Sequence, residues 1–123
     1  MATSLADALR PEVYQGGLTV AMPFGIEADG EIVGFVMMTA ITEHHADPEL
    51  WRLLIDRRHQ RRGIGRRVLD AVVDECRTMS ATSLITHWCE GRGSPRPFYE
   101  QHGFVANGNV IDGETEAVLH IDA

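Results

Sequence analysis

The sequence predicts a mixed α/β fold, and two observations carry that prediction. Apolar periodicity is strand-like in several short runs but switches over residues 65–79 to the three-and-four spacing of a helix. Tight-turn signals, Ala28-Asp29-Gly30 and Ile111-Asp112-Gly113-Glu114, join strand-like runs toward each end of the chain. The order is hairpin, strand, long helix, strand, short helix, hairpin, which suits helices laid against one sheet. A length of 123 residues makes this one domain, residues 1–123.

Taken in order, residues 1–22 carry the weakest signal. Ser4 can cap a short helix over residues 5–9 that stops at Pro11, and Gln15-Gly16-Gly17 reads as a turn. Residues 23–26 and 31–40 flank the first tight turn as strands, and residues 42–48 (TEHHADP) are a polar loop. Residues 50–55 (LWRLLI) form a short apolar run of the kind a central strand gives. In the long helix, Ile64, Val68, Leu69, Val72, Val73 and Cys76 make one apolar stripe. Strand character returns over residues 83–89. Gly91 to Gly93 is flexible, and Ser94-Pro95 has the form of a helix cap followed by proline in the first turn. The short helix ends at Gly103, and residues 104–110 and 115–121 make the second hairpin.

Charge and composition exclude several classes of function. All 11 cationic residues are arginine, so a lysine Schiff base and a phosphate-loop lysine are impossible. Six of them, Arg57, Arg58, Arg61, Arg62, Arg66 and Arg67, fall within eleven residues; outside that window 5 basic side chains face 18 acidic ones. A nucleic-acid surface needs basic charge spread along a face, so this compact strip points to a small polyanion instead. No apolar run approaches the roughly 20 residues of a membrane-spanning helix, and residues 1–10 lack the pattern of a signal peptide. The expected location is the cytoplasm, with neither membrane nor nucleic acid as a partner. Cys76 and Cys89 are the only thiols, which excludes a disulfide scaffold or a thiolate-rich zinc site, and packing is the simplest role for both. His44-His45 with Asp47 lacks a further ligand at metal-binding spacing, so no metal is expected.

The decisive stretch is residues 53–68, LLIDRRHQRRGIGRRV, where an apolar strand runs through a glycine turn into the amphipathic helix. The first turn of a helix presents unpaired N–H groups and the positive end of its dipole, and Gly63 and Gly65 let a ligand approach that backbone. Arg61, Arg62 and Arg66 add charge that planar guanidinium groups direct well at phosphate. A dinucleotide-binding fingerprint would need a third glycine or alanine where Val68 stands, and the chain has no room for six parallel strands.

Gln60-Arg61-Arg62-Gly63-Ile64-Gly65 resembles the Gln/Arg-x-x-Gly-x-Gly/Ala signature of the GNAT superfamily of acyl-CoA N-acyltransferases. Pro97-Phe98-Tyr99-Glu100-Gln101-His102-Gly103-Phe104 is similar to the Phe-Tyr-x-x-x-Gly-Phe segment of the same superfamily, in the right order and at a suitable distance. The flanks Trp51 to Asp56 and Gly93-Ser94-Pro95 resemble its diamine and spermidine/spermine acetyltransferase-like branch. The resemblance spans residues 24–121. It implies a mostly antiparallel sheet with a central splayed strand pair and flanking helices. The usual first strand and first helix are expected to be missing, since only about 22 residues precede the first hairpin.

The same resemblance implies site residues and a cofactor. Backbone amides of Arg62, Gly63, Ile64, Gly65 and Arg66 would hold the diphosphate of acetyl-CoA, bordered by Gln60 and Arg61. The strand carrying Leu53 and Ile55 would pair with pantetheine and polarise the thioester carbonyl. Ser94 stands near an Asn that touches the cofactor in relatives, and Tyr99 would protonate the departing thiolate. The acceptor amine must lose a proton, for which Glu49, Glu43 and His87 are the candidates and Glu49 the choice. Where polyamine-acetylating relatives place a glutamate, this chain has Trp51. Trp51 and Trp88 are candidates to shape the acceptor pocket, with core packing as the alternative reading.

The expected activity is acetyl transfer from acetyl-CoA to a primary amine. The acidic body favours a small cation such as a diamine or polyamine. An aminoglycoside, another small amine or a protein N-terminus stays open as the acceptor. A different class of function is a non-catalytic acyl-CoA sensor or partner module. A sheet without its first strand leaves an unpaired edge, and for that reason a homodimer is expected.

Overall fold

Among the described residues, strands form where apolar residues alternate or run together, and the long change of period makes a long helix. A computed structural model of the chain describes residues 12–13, 20–28, 30–39, 47–60 and 63–122. Among the described residues the elements are β1 (Glu12–Val13), β2 (Val20–Ala28), β3 (Glu31–Thr39), β4 (Glu49–Ile55), α1 (Ile64–Thr78), β5 (Ser83–Trp88), α2 (Arg96–Gln101), β6 (Val105–Ile111) and β7 (Glu114–His120). The strands make one sheet in the order β1-β2-β3-β4-β5-β7-β6. Every neighbouring pair is antiparallel except β4 and β5, which run parallel.

The whole predicted stripe of α1 is buried against the sheet. Ile64, Val68, Leu69 and Val72 meet Val36, Met38, Leu50, Leu84 and Trp88 in one core. Each such side chain taken fully out of water contributes about 1.5–3 kcal/mol, which outweighs the modest helix propensity of three valines in α1. The helix stops where the Met79 N–H turns back to the Glu75 and Cys76 carbonyls and Ser80 adopts a positive φ of 61°.

Element boundaries differ from the sequence reading most at β2, which ends two residues late at Ala28, and elsewhere by one or two residues. β2 begins at Val20, three residues ahead of the expected start. Pro23 does not prevent this, because β1 pairs only with Ala21 and Val20 and leaves β2 without an outer strand partner at Pro23 among the described residues. In addition, β1 is a short strand in the span expected to carry none. The helix expected over residues 5–9, the turn at 15–17 and Asp29 of the first hairpin lie outside the described residues.

Two irregularities interrupt the regular ladder of the sheet. Between β4 and β5 only Glu49 with Ile85 and Leu50 with Thr86 are in register. Beyond them β4 continues beside β3 to Ile55 while β5 continues beside β7 to Trp88, so the parallel pair splays open. In β6, Asn107, Gly108 and Asn109 bulge out between the Ala106–Ala117 and Val110–Thr115 pairs, opposite Glu116 alone.

Candidate active site

The glycine turn leads directly into α1. Asp56 starts it: its N–H donates to the Val33 carbonyl at 2.6 Å, and its carboxylate accepts the Arg58 N–H at 2.9 Å, fixing a 3-10 turn over Arg57–His59. The same arginine holds the Asp56 carboxyl below the usual carboxylate range through its side-chain and backbone hydrogen bonds. Gln60 Nε2 donates to the Ile55 carbonyl at 3.0 Å and ties the turn to the end of β4. Gly63 caps α1 in the left-handed conformation at φ 78°, with nothing within 4 Å of where a Cβ would stand. The first bond of the helix runs from the Arg67 N–H to the Gly63 carbonyl at 3.2 Å. The N–H groups of Ile64, Gly65 and Arg66 therefore have no acceptor inside the helix and are available to an anion.

Those amides face a cleft of about 700 Å³ whose walls include Leu53 and Ile55 of β4, Gln60, Gly63, Gly65, Arg66 and Tyr99. The splay supplies its depth, because the edge of β4 past Leu50 has no strand beside it. A long ligand with a polyanionic end fits these walls, which combine the helix N-terminus, an unpaired strand edge and a phenol. The residues present thus suit acetyl-CoA.

Tyr99, in the wall of this cleft, is 7 % exposed and sits in an aromatic nest. Its ring lies edge-on to Phe98 and Phe104, with centroids 5.2 and 5.4 Å away, and parallel to Trp88. Burial pushes its hydroxyl above the usual value of 10.0, while a hydrogen bond with Thr86 works in the opposite direction. The phenol therefore stays protonated at neutral pH. Thr86 in turn donates to the Leu50 carbonyl at 3.2 Å, at the last residue pair before the strands part.

Strand alternation puts His87 on the other side of the sheet from Thr86 and Trp88. There a second cavity, of about 330 Å³, is lined by Glu49, Trp51, Arg52, His87, Asp112 and Glu114 among others. His87 stands between two carboxylates: Nε2 is 3.0 Å from Glu116 Oε2 and Nδ1 is 3.9 Å from Glu49 Oε1. Acidic charge thus gathers on this face and the phenol on the other, with the splay between them.

The structure gathers Leu53, Ile55, Gln60, Gly63, Gly65, Arg66 and Tyr99 around the larger cleft and places Glu49 in the smaller one. The side chain of Ile64 is wholly buried, leaving only its backbone to a ligand. Ser94 Oγ accepts the Arg96 N–H at 3.2 Å at the start of α2. Arg61, Arg62, Glu43, His44 and His45 lie outside the described residues. Among the described residues no group of three or more His, Cys, Asp or Glu is arranged to hold a metal.

Sequence reasoning missed Thr86, Glu90 and Glu116. Glu90 Oε2 accepts from Trp88 Nε1 at 2.9 Å, Arg96 at 2.8 Å and the Thr115 hydroxyl at 2.7 Å, and Arg96 also lies 5.7 Å from the Trp88 ring centre. The clue to Thr86 was its place in an alternating strand, which made it a polar residue on the core face.

The sequence profile of the acetyltransferase (GNAT) family matches residues 6–104, and the chain belongs to that family. No curated protein matches it in sequence. Its fold is similar to that of an acetyltransferase from Thermus thermophilus, at 22% identity and a TM-score of 0.71, over 82% of this chain and 64% of that one. It is also similar to the PaiA N-acetyltransferase of Thermoplasma acidophilum in complex with coenzyme A, at 17% identity and a TM-score of 0.71, over 81% of this chain and 60% of that one. The ribosomal-protein-S18-alanine N-acetyltransferase of Escherichia coli shares the fold at 20% identity and a TM-score of 0.67, over 89% of this chain and 73% of that one. The chain thus spans under two thirds of the length of the first two. No helix among the described residues is long and apolar enough to cross a membrane.

Proposed function

We propose that the protein is an acetyl-CoA-dependent N-acetyltransferase acting on a small cationic amine, with a diamine or polyamine as the leading substrate class. The observation that carries this reading is the slot past the Leu50–Thr86 pair, with a buried phenol on one side and an acidic cavity on the other. Acetyl-CoA brings the acetyl group as a thioester. The amides of Gly63, Ile64, Gly65 and Arg66 bind its diphosphate, with Gln60 at the rim and Ser94 just ahead of α2. Leu53 and Ile55 present the free edge of β4 to the pantetheine arm, and a β4 N–H polarises the carbonyl. Glu49 and its neighbours attract the ammonium group on the open face and exclude anionic acceptors. Tyr99 donates its proton to the thiolate as it leaves.

The same reading includes a cytoplasmic location and a homodimer, and the dimer is supported by apolar side chains left bare on the open face of β3 and β4. Ile32 is 71% and Leu54 is 56% exposed there, beside the half-buried Phe35 and Met37. The deciding experiment is release of free thiol from acetyl-CoA with a panel of amines: putrescine, spermidine, an aminoglycoside and a peptide with a free N-terminus. Turnover with the first two supports the proposal. Binding of acetyl-CoA without turnover of any amine overturns it in favour of a sensor.

A further inference from the structure

The two ring nitrogens of His87 are engaged differently. Nε2 is within hydrogen-bond distance of Glu116, at 3.0 Å, whereas Nδ1 is 3.9 Å from Glu49, too far for a direct bond. Glu116 is itself gripped from behind. Its Oε1 accepts from Asn107 Nδ2 at 2.7 Å and from Asn109 Nδ2 at 3.0 Å. Both amides reach it because the β6 bulge turns at Gly108, φ 90°, and Asn107 Oδ1 accepts the Asn109 N–H at 3.0 Å, which orients the first amide. Two amide donors favour the ionised carboxylate, and Glu116 lies below the usual glutamate range chiefly for that reason.

An ionised Glu116 can only accept, so His87 donates from Nε2, and the lone pair of the neutral ring falls on Nδ1, toward Glu49 and the cavity. Resting on the acetyltransfer reading above, we propose that the Asn107-Gly108-Asn109 bulge and Glu116 are positioning residues that set His87 Nδ1 as the proton acceptor for the incoming amine. Among the described residues, the charged groups around the imidazole are Glu49 and Arg52 from β4, Glu114 and Glu116 from β7, and Asp112 from the β6–β7 turn. The gap between Nδ1 and Glu49 Oε1 is where an ammonium group can donate to both. His87 takes one proton, the freed nitrogen lone pair forms the C–N bond, and the C–S bond of the thioester breaks. Of the two protons the nitrogen loses in becoming an amide, one restores the Tyr99 phenol after it has protonated the thiolate. The other passes from His87 to water.

Two measurements on the full chain test this. The first is kcat/KM for putrescine or spermidine against pH, in wild type, His87→Gln and the double variant Asn107→Ala/Asn109→Ala. His87→Gln is expected to lower kcat/KM by about 10²- to 10⁴-fold and abolish the acid limb, with stabilisation by acetyl-CoA unchanged. The double variant is expected to lower kcat and move the acid limb with KM for acetyl-CoA unchanged, which a merely structural role would not do. The second is nitrogen NMR of histidine-labelled wild type, expected to show neutral His87 protonated at Nε2. A ring protonated at Nδ1, or an acid limb kept in His87→Gln with near-normal turnover, overturns the proposal while leaving acetyl transfer standing. Absence of turnover in wild type with every amine overturns acetyl transfer and this proposal together.

Discussion

Trp88 and Tyr99 lie in parallel planes, 9° apart, with ring centres separated by 6.0 Å, so the phenol is held by a ring that is itself only 1 % exposed. The packing of Tyr99 and the chemistry of its hydroxyl are therefore separable. Tyr99→Phe keeps the nest and deletes the proposed proton donor. Turnover is expected to fall by about 10²- to 10⁴-fold. Loss of the Thr86 hydrogen bond costs only about 0.5–1.5 kcal/mol, and acetyl-CoA affinity is unchanged. Kinetics beside a melting curve check this; a variant that melts early yet turns over normally would make Tyr99 a packing residue.

Gly63 sits at φ 78° in front of three amides that have no acceptor within the helix. Acetyl-CoA at about a hundred times its dissociation constant is expected to stabilise wild type by roughly 2.7 kcal/mol. In Gly63→Val the strained backbone costs about 1–2 kcal/mol, and the added side chain closes the approach to the amides, so the ligand-induced shift disappears. Differential scanning fluorimetry with and without millimolar acetyl-CoA reads both effects. An unshifted wild type would remove the cofactor assignment.

The two thiols should behave as different species. Cys76 is wholly inside the core, where burial pushes it up to about 12, while Cys89 is exposed after β5. One equivalent of a thiol reagent is expected to react with the folded protein and a second only on denaturation. Two fast equivalents in the native state would contradict the packing of α1.

Glu116 is ionised in the fold at pH values where a glutamate in the unfolded chain, near 4.5, has begun to bind its proton. A depressed folded value gives stability that is complete above the unfolded value and is lost as pH falls through the folded one. Wild type should therefore lose melting temperature below about pH 4.5, and Glu116→Gln should flatten that slope without changing the plateau's shape at higher pH. Equal slopes in the two proteins would show that the Asn107 and Asn109 contacts are not maintained in solution.

Light scattering is expected to give a dimer mass across the micromolar range. Replacing Leu54 and Ile32 with Asp and Lys should shift it to monomer, since charge on a buried apolar contact is disfavoured. A monomer in wild type would leave those side chains bare in solution and remove the homodimer from the proposal.

What the sequence disclosed was whatever is local. The stripe from Ile64 to Cys76 and the glycine turn at its head are contiguous patterns whose spacing carries their meaning, whereas Tyr99 stood out only through the resemblance of residues 97–104 to a family segment. The partners of His87 were not legible in the same way. Glu116 reaches it across 29 residues, and only the bulge at Gly108 brings two asparagines to the same oxygen. Asn-Gly-Asn in a run of strand residues reads as a weak strand or turn until its partner strand is in place.

A sheet held together at its middle by two residue pairs is two plates sharing a narrow hinge. One plate carries β1 to β4, the other β5, β7 and β6, and α1 is the covalent link from one to the other. A ligand arm lying along the free edge of β4 would act as a splint between the plates. Its arrival would set the spacing between Glu49 on one and His87 on the other, so that the acceptor side is gauged by what the donor side holds.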